Sequence, residues 1–292
     1  MRVGFRVGGG DVVALGSVEF TIAVIGLVLA GVLKGSTGIG YSTCALPFLV
    51  AAVGLQRGMA LVIVPAIVSN FSLMLNGGGT GAALRRFWKF YAAIVPGIAI
   101  GSSLLVNIEA HIAIKLLGLL TMAYVAIALL RPGLALSQNG ERALAIPAGF
   151  TNGILTGLTG SQIMPLMPYM MSLGLTAGEQ VQAINLAVTF TSIALGGSLL
   201  ITGLVEWKVL LLSAIGTIPA VIGVEIGGLI RKRLTTQRFK QFSLIMLAVL
   251  GLSLTVQSGL RRSPDCSAAR AAPSDNATHT CVSSAAMHHR AR

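Results

Sequence analysis

The chain has 292 residues, 54% of them hydrophobic and only 10% charged, with 21 Lys and Arg against 9 Asp and Glu for a formal net charge of +12. An ordinary soluble domain carries about a quarter charged residues, so this composition excludes a soluble globule and implies a polytopic protein whose solvent is the lipid bilayer. The basic residues cluster in loops between apolar runs, as topology signals do, and they form no aromatic and basic platform of the kind that binds nucleic acid.

In chain order, residues 1–15 read as an N-terminal tail, and the apolar run from Val18 to Leu33 as a first membrane segment. It is not a signal peptide, because no small-residue cleavage site precedes a soluble domain and further spans follow at once. The stretch GVLKGSTGIGYSTCALPFL, residues 31–49, then places a lysine and a cluster of Gly, Ser and Thr inside the apolar chain. Spans of the required ~20 residues follow near 59–76, 90–107 and 112–130. After a linker from Arg131 to Arg142, further spans lie near 179–203, 207–230 and 239–257. A Ser/Ala/Arg-rich tail, read as disordered, occupies 259–292.

The two halves repeat. Gly31, Gly35 and Gly38 match Gly153, Gly157 and Gly160; Pro47 falls opposite Pro168, and Trp88-Lys89 matches Trp207-Lys208. Two membrane repeats are therefore expected, 16–131 and 143–258. Tyr41–Gly54, Ala143–Thr156 and Gln162–Gly174 would each reach only about 20 Å as helix against a core of about 30 Å, and read as half-depth hairpins. The basic loop Arg85-Arg86-Phe87-Trp88-Lys89 matches the neutral Glu206-Trp207-Lys208, while the neutral region from Glu109 to Lys115 matches Arg231-Lys232-Arg233 through Lys240. Parallel copies would contradict the positive-inside rule in both pairs, and inverted copies satisfy it in both. The expected fold class is an all-α polytopic membrane protein of two inverted repeats, each a broken or re-entrant helical hairpin plus three transmembrane helices.

Interrupted segments at matching places of inverted repeats are the mark of a secondary transporter whose site lies near the midplane. Irregular backbone at that depth must be buried in protein or face water, and helix N-termini near Ser42-Thr43 and Ser161-Gln162 would present partial positive charge to an anion. The candidate substrate contacts are Lys34, Gly35, Ser36, Thr37, Gly38, Gly40, Ser42 and Thr43 in the first motif, and Gly157, Thr159, Gly160, Ser161 and Gln162 in the second. Asn70 and Asn185 join them from the spans.

Each has a structural alternative. Lys34, matched by Thr156, either pairs with an anion or snorkels to an interface. Glu225, the one carboxylate well inside an apolar run, either couples protons or pairs locally with Arg231. Asn70, Asn152 and Asn185 either touch substrate or bond neighbouring helices. Gly97, Gly101, Gly223, Gly227 and Gly228 read as close-packing positions. Cys44 reads as a small buried hydrophobe. No Asp lies in the core, His111 stands alone, and neither G-x-S-x-G nor H-E-x-x-H occurs, so no enzyme, no catalytic residue, no metal site and no cofactor is expected.

The repeated G-x3-G-x2-G segment, followed by a proline and then Gly54-Leu55 or Gly174-Leu175, resembles the sulfite exporter TauE/SafE transporters across both halves. Where the typical first motif continues with a run of glycines, this chain has Gly38-Ile39-Gly40-Tyr41-Ser42. The resemblance implies transport of a small anion such as sulfite or an organosulfonate across the bacterial cytoplasmic membrane, with a homo-oligomer as one admissible assembly. A transporter of another solute, a metal cation or a neutral metabolite, is the alternative. A cation site would call for carboxylates inside the membrane, which this core nearly lacks.

Overall fold

The computed structural model describes residues 2–6, 11–37, 40–130, 135–233, 245, 248–249 and 251–255. Residues 1–15, expected as a plain tail, carry an antiparallel hairpin of β1 (Arg2–Arg6) and β2 (Asp11–Gly16), with Arg2 opposite Gly16 and Phe5 opposite Val13. The elements that follow are helices: α1 (Ser17–Thr37), α2 (Tyr41–Val53), α3 (Leu55–Gly77), α4 (Thr80–Asn107) and α5 (Ala110–Leu130). Beyond the linker come α6 (Gln138–Thr159), α7 (Leu166–Met171), α8 (Ala177–Ile201), α9 (Trp207–Ile215) and α10 (Thr217–Arg233). The stretch near 239–257, expected as the last span, lies mostly outside the described residues, and the tail over 259–292 lies wholly outside them.

Among the described residues four stretches are long and apolar enough to cross a membrane: Thr80–Asn107, Ala110–Leu130, Ala177–Ile201 and Trp207–Leu229. The 28 residues of α4 reach about 42 Å, beyond the ~30 Å hydrocarbon core, so its first turns carry Arg85, Arg86 and Lys89 out of the apolar zone. Helix α2, with 13 residues, reaches only about 20 Å and stays short of a full crossing, as expected.

Three local expectations are corrected. Helix α6 starts at Gln138 rather than Ala143, because Ser137 accepts a bond from Gly140 N and Glu141 favours the first turn; its 22 residues exceed half depth. The stretch Gln162–Gly174 holds only a six-residue helix, since Gly160 ends α6 at φ +75° and Pro165 precedes α7. The span 207–230 is divided at Gly216, where Pro219 has no N–H to donate to the Ile215 carbonyl.

Glycines set the packing. A Cβ on Gly31 would collide with the Ala220 carbonyl oxygen and one on Gly35 with that of Val224; reciprocally, Gly223 faces the Val28 carbonyl and Gly227 that of Val32. The contact advances in step along both chains, so α1 and α10 run parallel. The same arrangement recurs between α4 and α6, where Gly97 meets the Phe150 carbonyl, Gly101 that of Ile154, and Gly153 that of Ile94. Each hairpin helix is thus pressed backbone to backbone against a late helix of the other half of the chain.

Helices α3 and α8 cross the middle in opposite directions. Ile63 lies against Gly196, while Gln182 Nε2 donates to Leu73 O, 3.4 Å. Helix α8 runs with α4: Tyr91 donates to Ala183 O, 3.1 Å, and Ser102 bonds Ser198 further along both. These directions bring the C-terminus of α10, at 231–233, to the same end as the N-terminus of α4. Arg86 at that end makes a bidentate pair with Glu141 of α6, both bonds 2.8 Å.

The close contacts predict that Gly97→Ala and Gly223→Ala each destabilise the protein by about 1–3 kcal/mol or more. Gly228→Ala, with open space around its added methyl, should be neutral or slightly stabilising. Thermal unfolding of the purified variants in detergent distinguishes them, and equal melting of all three would contradict this packing.

Candidate functional site

Two turns meet at the centre of the fold, one between α1 and α2 and one between α6 and α7. Gly40 at φ +90° and Gly160 at φ +75° occupy the left-handed region, which costs a residue with a Cβ roughly 1–2 kcal/mol. Lys34, in the last turn of α1, is 1% exposed, and its ammonium donates to Oδ1 of Asn70 on α3. Among the described residues no carboxylate lies within ion-pair distance of it. The interfacial alternative for this lysine therefore does not describe the structure, in which the side chain is turned inward.

The two turns are tied directly. Ser42 donates to Gln162 Oε1, 3.2 Å, and Gln162 Nε2 donates to Ser192 on α8, 3.1 Å. The second turn holds itself in shape: Thr156 donates to Ser161 O, 2.9 Å, Thr159 Oγ1 accepts from Ser161 N, 3.2 Å, and Asn152 Oδ1 accepts from Leu166 N, 3.3 Å. At the start of α2 the first intrahelical bond runs from Cys44 N to Gly40 O, 3.2 Å. The amides of Tyr41, Ser42 and Thr43 thus precede the bonded ladder, as the first amides of any helix do.

A cavity of about 20 Å³ lies between the turns, room for about one water molecule. Its polar wall includes Tyr41, Ser42, Thr43, Asn70, Gln162 and Asn185, with Gly40 at the turn; Ile163, Leu166, Met167, Ile184 and Val188 form the apolar wall. Among the described residues no carboxylate, imidazole or thiol lines it. Lys34 stands behind Asn70 rather than in the wall itself.

Of the sequence-predicted contacts, Gly40, Ser42, Thr43, Asn70, Gln162 and Asn185 come together here. Gly160 shapes the turn, and a Cβ on it would lie 2.6 Å from Met59 Cγ. Ser36 donates to Leu33 O, 2.9 Å, within its own helix, and Thr159 donates to Leu155 O, 2.6 Å, while accepting from Ser161 N, so both hydroxyls serve local structure. Ser161 is buried and serves the second turn. Gly35 and Gly157 face neighbouring helices instead: the former packs on Val224 of α10, the latter on Ser102 N of α4 at 2.6 Å from an added Cβ. Gly38 and the Thr37 side chain lie outside the described residues. Glu225 is exposed on α10 and does not line the cavity; the Arg231 side chain lies outside the described residues.

Sequence reasoning missed Tyr41, which is 2% exposed with its hydroxyl unpartnered, and Ser192, which orients Gln162. Tyr41 carried a signal, since it replaces a glycine of the typical motif beside two hydroxyl residues. Ser192, in mid-span, carried none.

Four membrane-length apolar helices, with a small cavity of mixed polar and apolar lining where two interrupted segments meet, define a multi-pass membrane protein. Residues 22–254 match the model of the sulfite exporter TauE/SafE family, and the chain belongs to that family. No curated protein and no solved structure matches it.

Lys34→Met separates stability from binding. The substitution leaves Asn70 Oδ1 unpaired at a cost of about 1–3 kcal/mol, but it also removes a buried ammonium whose desolvation costs several kcal/mol. The variant should therefore melt no lower than the parent while losing affinity for its small anionic solute, read by calorimetry on the same preparation. A large drop in melting temperature with affinity retained would assign Lys34 to structure alone.

Proposed function

We propose that this chain is a secondary transporter, not an enzyme, that moves a small anion, sulfite or an organosulfonate, across the bacterial cytoplasmic membrane by alternating access. The observation that carries the reading is a buried lysine, bonded among the described residues only to a neutral amide, beside a cavity where two interrupted segments from opposite halves meet. An ammonium in a dry interior gains most from an anion close by. The absence of carboxylates from the cavity wall favours an anion over the metal cation. Family membership supports the same class of solute.

The halves act as inverted copies. Helix α1, parallel to α10, opens the first half, and α6, parallel to α4, opens the second; α3 and α8, their central members, oppose each other. The glycine contacts lock α1 to α10 and α4 to α6 into two units, since sliding would drive a carbonyl into the neighbouring backbone. A cavity of about one water's volume has no room for sulfite, so loading requires the units to part and expose the turns to one side and then the other. The apolar cavity wall would close behind the solute. Trp88 and Trp207, both exposed, sit toward opposite ends as interfacial anchors.

In proteoliposomes the purified protein should exchange sulfite or a short sulfonate, and cysteines placed at Arg86 and Lys232 should react with an impermeant reagent from the cytoplasmic side while one at Trp207 reacts from outside. Labelling of all three from one side would sink the inverted arrangement, and absence of any anion flux would sink the transport reading.

A further inference from the structure

Resting on the anion reading of this site, we propose that Tyr41 and Asn70 form its specificity-determining corner, and that this corner selects an oxyanion whose oxygens carry no hydrogen. Two buried donors there have no partner: the Tyr41 hydroxyl and Asn70 Nδ2, on residues each 2% exposed and both lining the cavity. Buried polar groups are nearly always paired, and an unpaired one calls for an explanation.

The orientation of Asn70 follows from chemistry. An ammonium has three donors and no acceptor, so the atom it bonds is the amide oxygen, and the NH2 group is forced to the other side. Lys34 thereby does two things at once. It consumes the acceptor of Asn70, and it leaves the NH2 group of that cavity-lining residue without a partner among the described residues.

Acceptors are scarce in the same corner. Asn70 Oδ1 is taken by Lys34, and Gln162 Oε1 by Ser42. Among the described residues no carboxylate lines the cavity to receive an O–H, and a hydroxyl facing an acceptor oxygen turns its hydrogen toward it. The early amides of α2, at Tyr41, Ser42 and Thr43, are further donors. An anion bearing an O–H would have to place that hydrogen on a hydroxyl that would otherwise donate to it or on the Asn185 amide, and so gives up about one hydrogen bond relative to an anion whose oxygens only accept. A sulfonate, with acceptor oxygens throughout, meets no such conflict.

Methanesulfonate and the monoanion of methylphosphonate test this, because they match in charge and nearly in size and differ by one P–OH. Calorimetry on the purified full chain, at a pH where the phosphonate keeps that proton, should give methanesulfonate about a tenfold advantage, as expected for one hydrogen bond given up. Tyr41→Phe should weaken methanesulfonate roughly ten- to hundredfold, the worth of a hydrogen bond to a charged group. It should melt no lower than the parent, since the hydroxyl removed was unpartnered. Asn70→Asp, which supplies an acceptor, should shrink or reverse the preference. Methanesulfonate binding at parental affinity in Tyr41→Phe, or equal affinity of the parent for the two anions, overturns this inference and leaves the site standing. Failure of the parent to bind either anion overturns both.

Discussion

An ammonium enclosed in protein within a bilayer has no water to turn to, and in this chain the Lys34 ammonium bonds a neutral amide oxygen. Moving such an ion out of water costs several kcal/mol even after relaxation, more than one hydrogen bond to an amide returns. The charge must therefore be held in place by the surrounding fold. Helix α1 carries it inward because Gly31 and Gly35 press that helix onto α10, while Asn70 approaches from α3 on the same side of the cavity. Removing water from the site also strengthens every electrostatic contact a solute would make there.

The glycine contacts give the motif a meaning different from the one its composition suggests. Gly31, Gly35, Gly153 and Gly157 are spaced four apart on their helices, and that spacing puts them on one face. The face meets another helix rather than a ligand. Its partners, Gly97, Gly101, Gly223 and Gly227, occupy the same relation in return, so each hairpin helix is bound to the far half of the chain. Glycines of this kind permit backbone approach where lipid supplies no hydrophobic drive between helices. In the proposed reading, what remains for the solute is the short irregular backbone after those faces, at Gly40 and Gly160, with the side chains beside it. Rigid pairs with a small polar seam between them are suited to rocking, because motion is confined to the seam.

Much of this was legible in the sequence. Composition identified the membrane, and the spans at 90–107 and 112–130 fall within α4 and α5. Pairing Gly38 with Gly160 and reading Ser42, Asn70 and Gln162 as polar interruptions led to the cavity. The extra turn of α6 depends on a cap at Ser137, which a hydropathy window does not register, and the break at Gly216 depends on a missing donor at Pro219 within an unbroken apolar run. Tyr41 departs from the glycine run of the typical motif, but a departure names no role, and it is the buried hydroxyl without a partner among the described residues that distinguishes it. Gly35 and Gly157 were assigned to the solute because periodicity identifies a helix face without identifying what covers it.

The proposed transport requires one site at the centre, reached in turn from each side of the membrane. A single cysteine at Thr43, in a chain from which Cys44, Cys266 and Cys281 have been replaced, measures this through its rate of reaction with an impermeant reagent added to either face of oriented vesicles. The account predicts reaction from both faces, slowed from both by sulfite or a sulfonate. Reaction confined to one face, or indifferent to every anion, would contradict it.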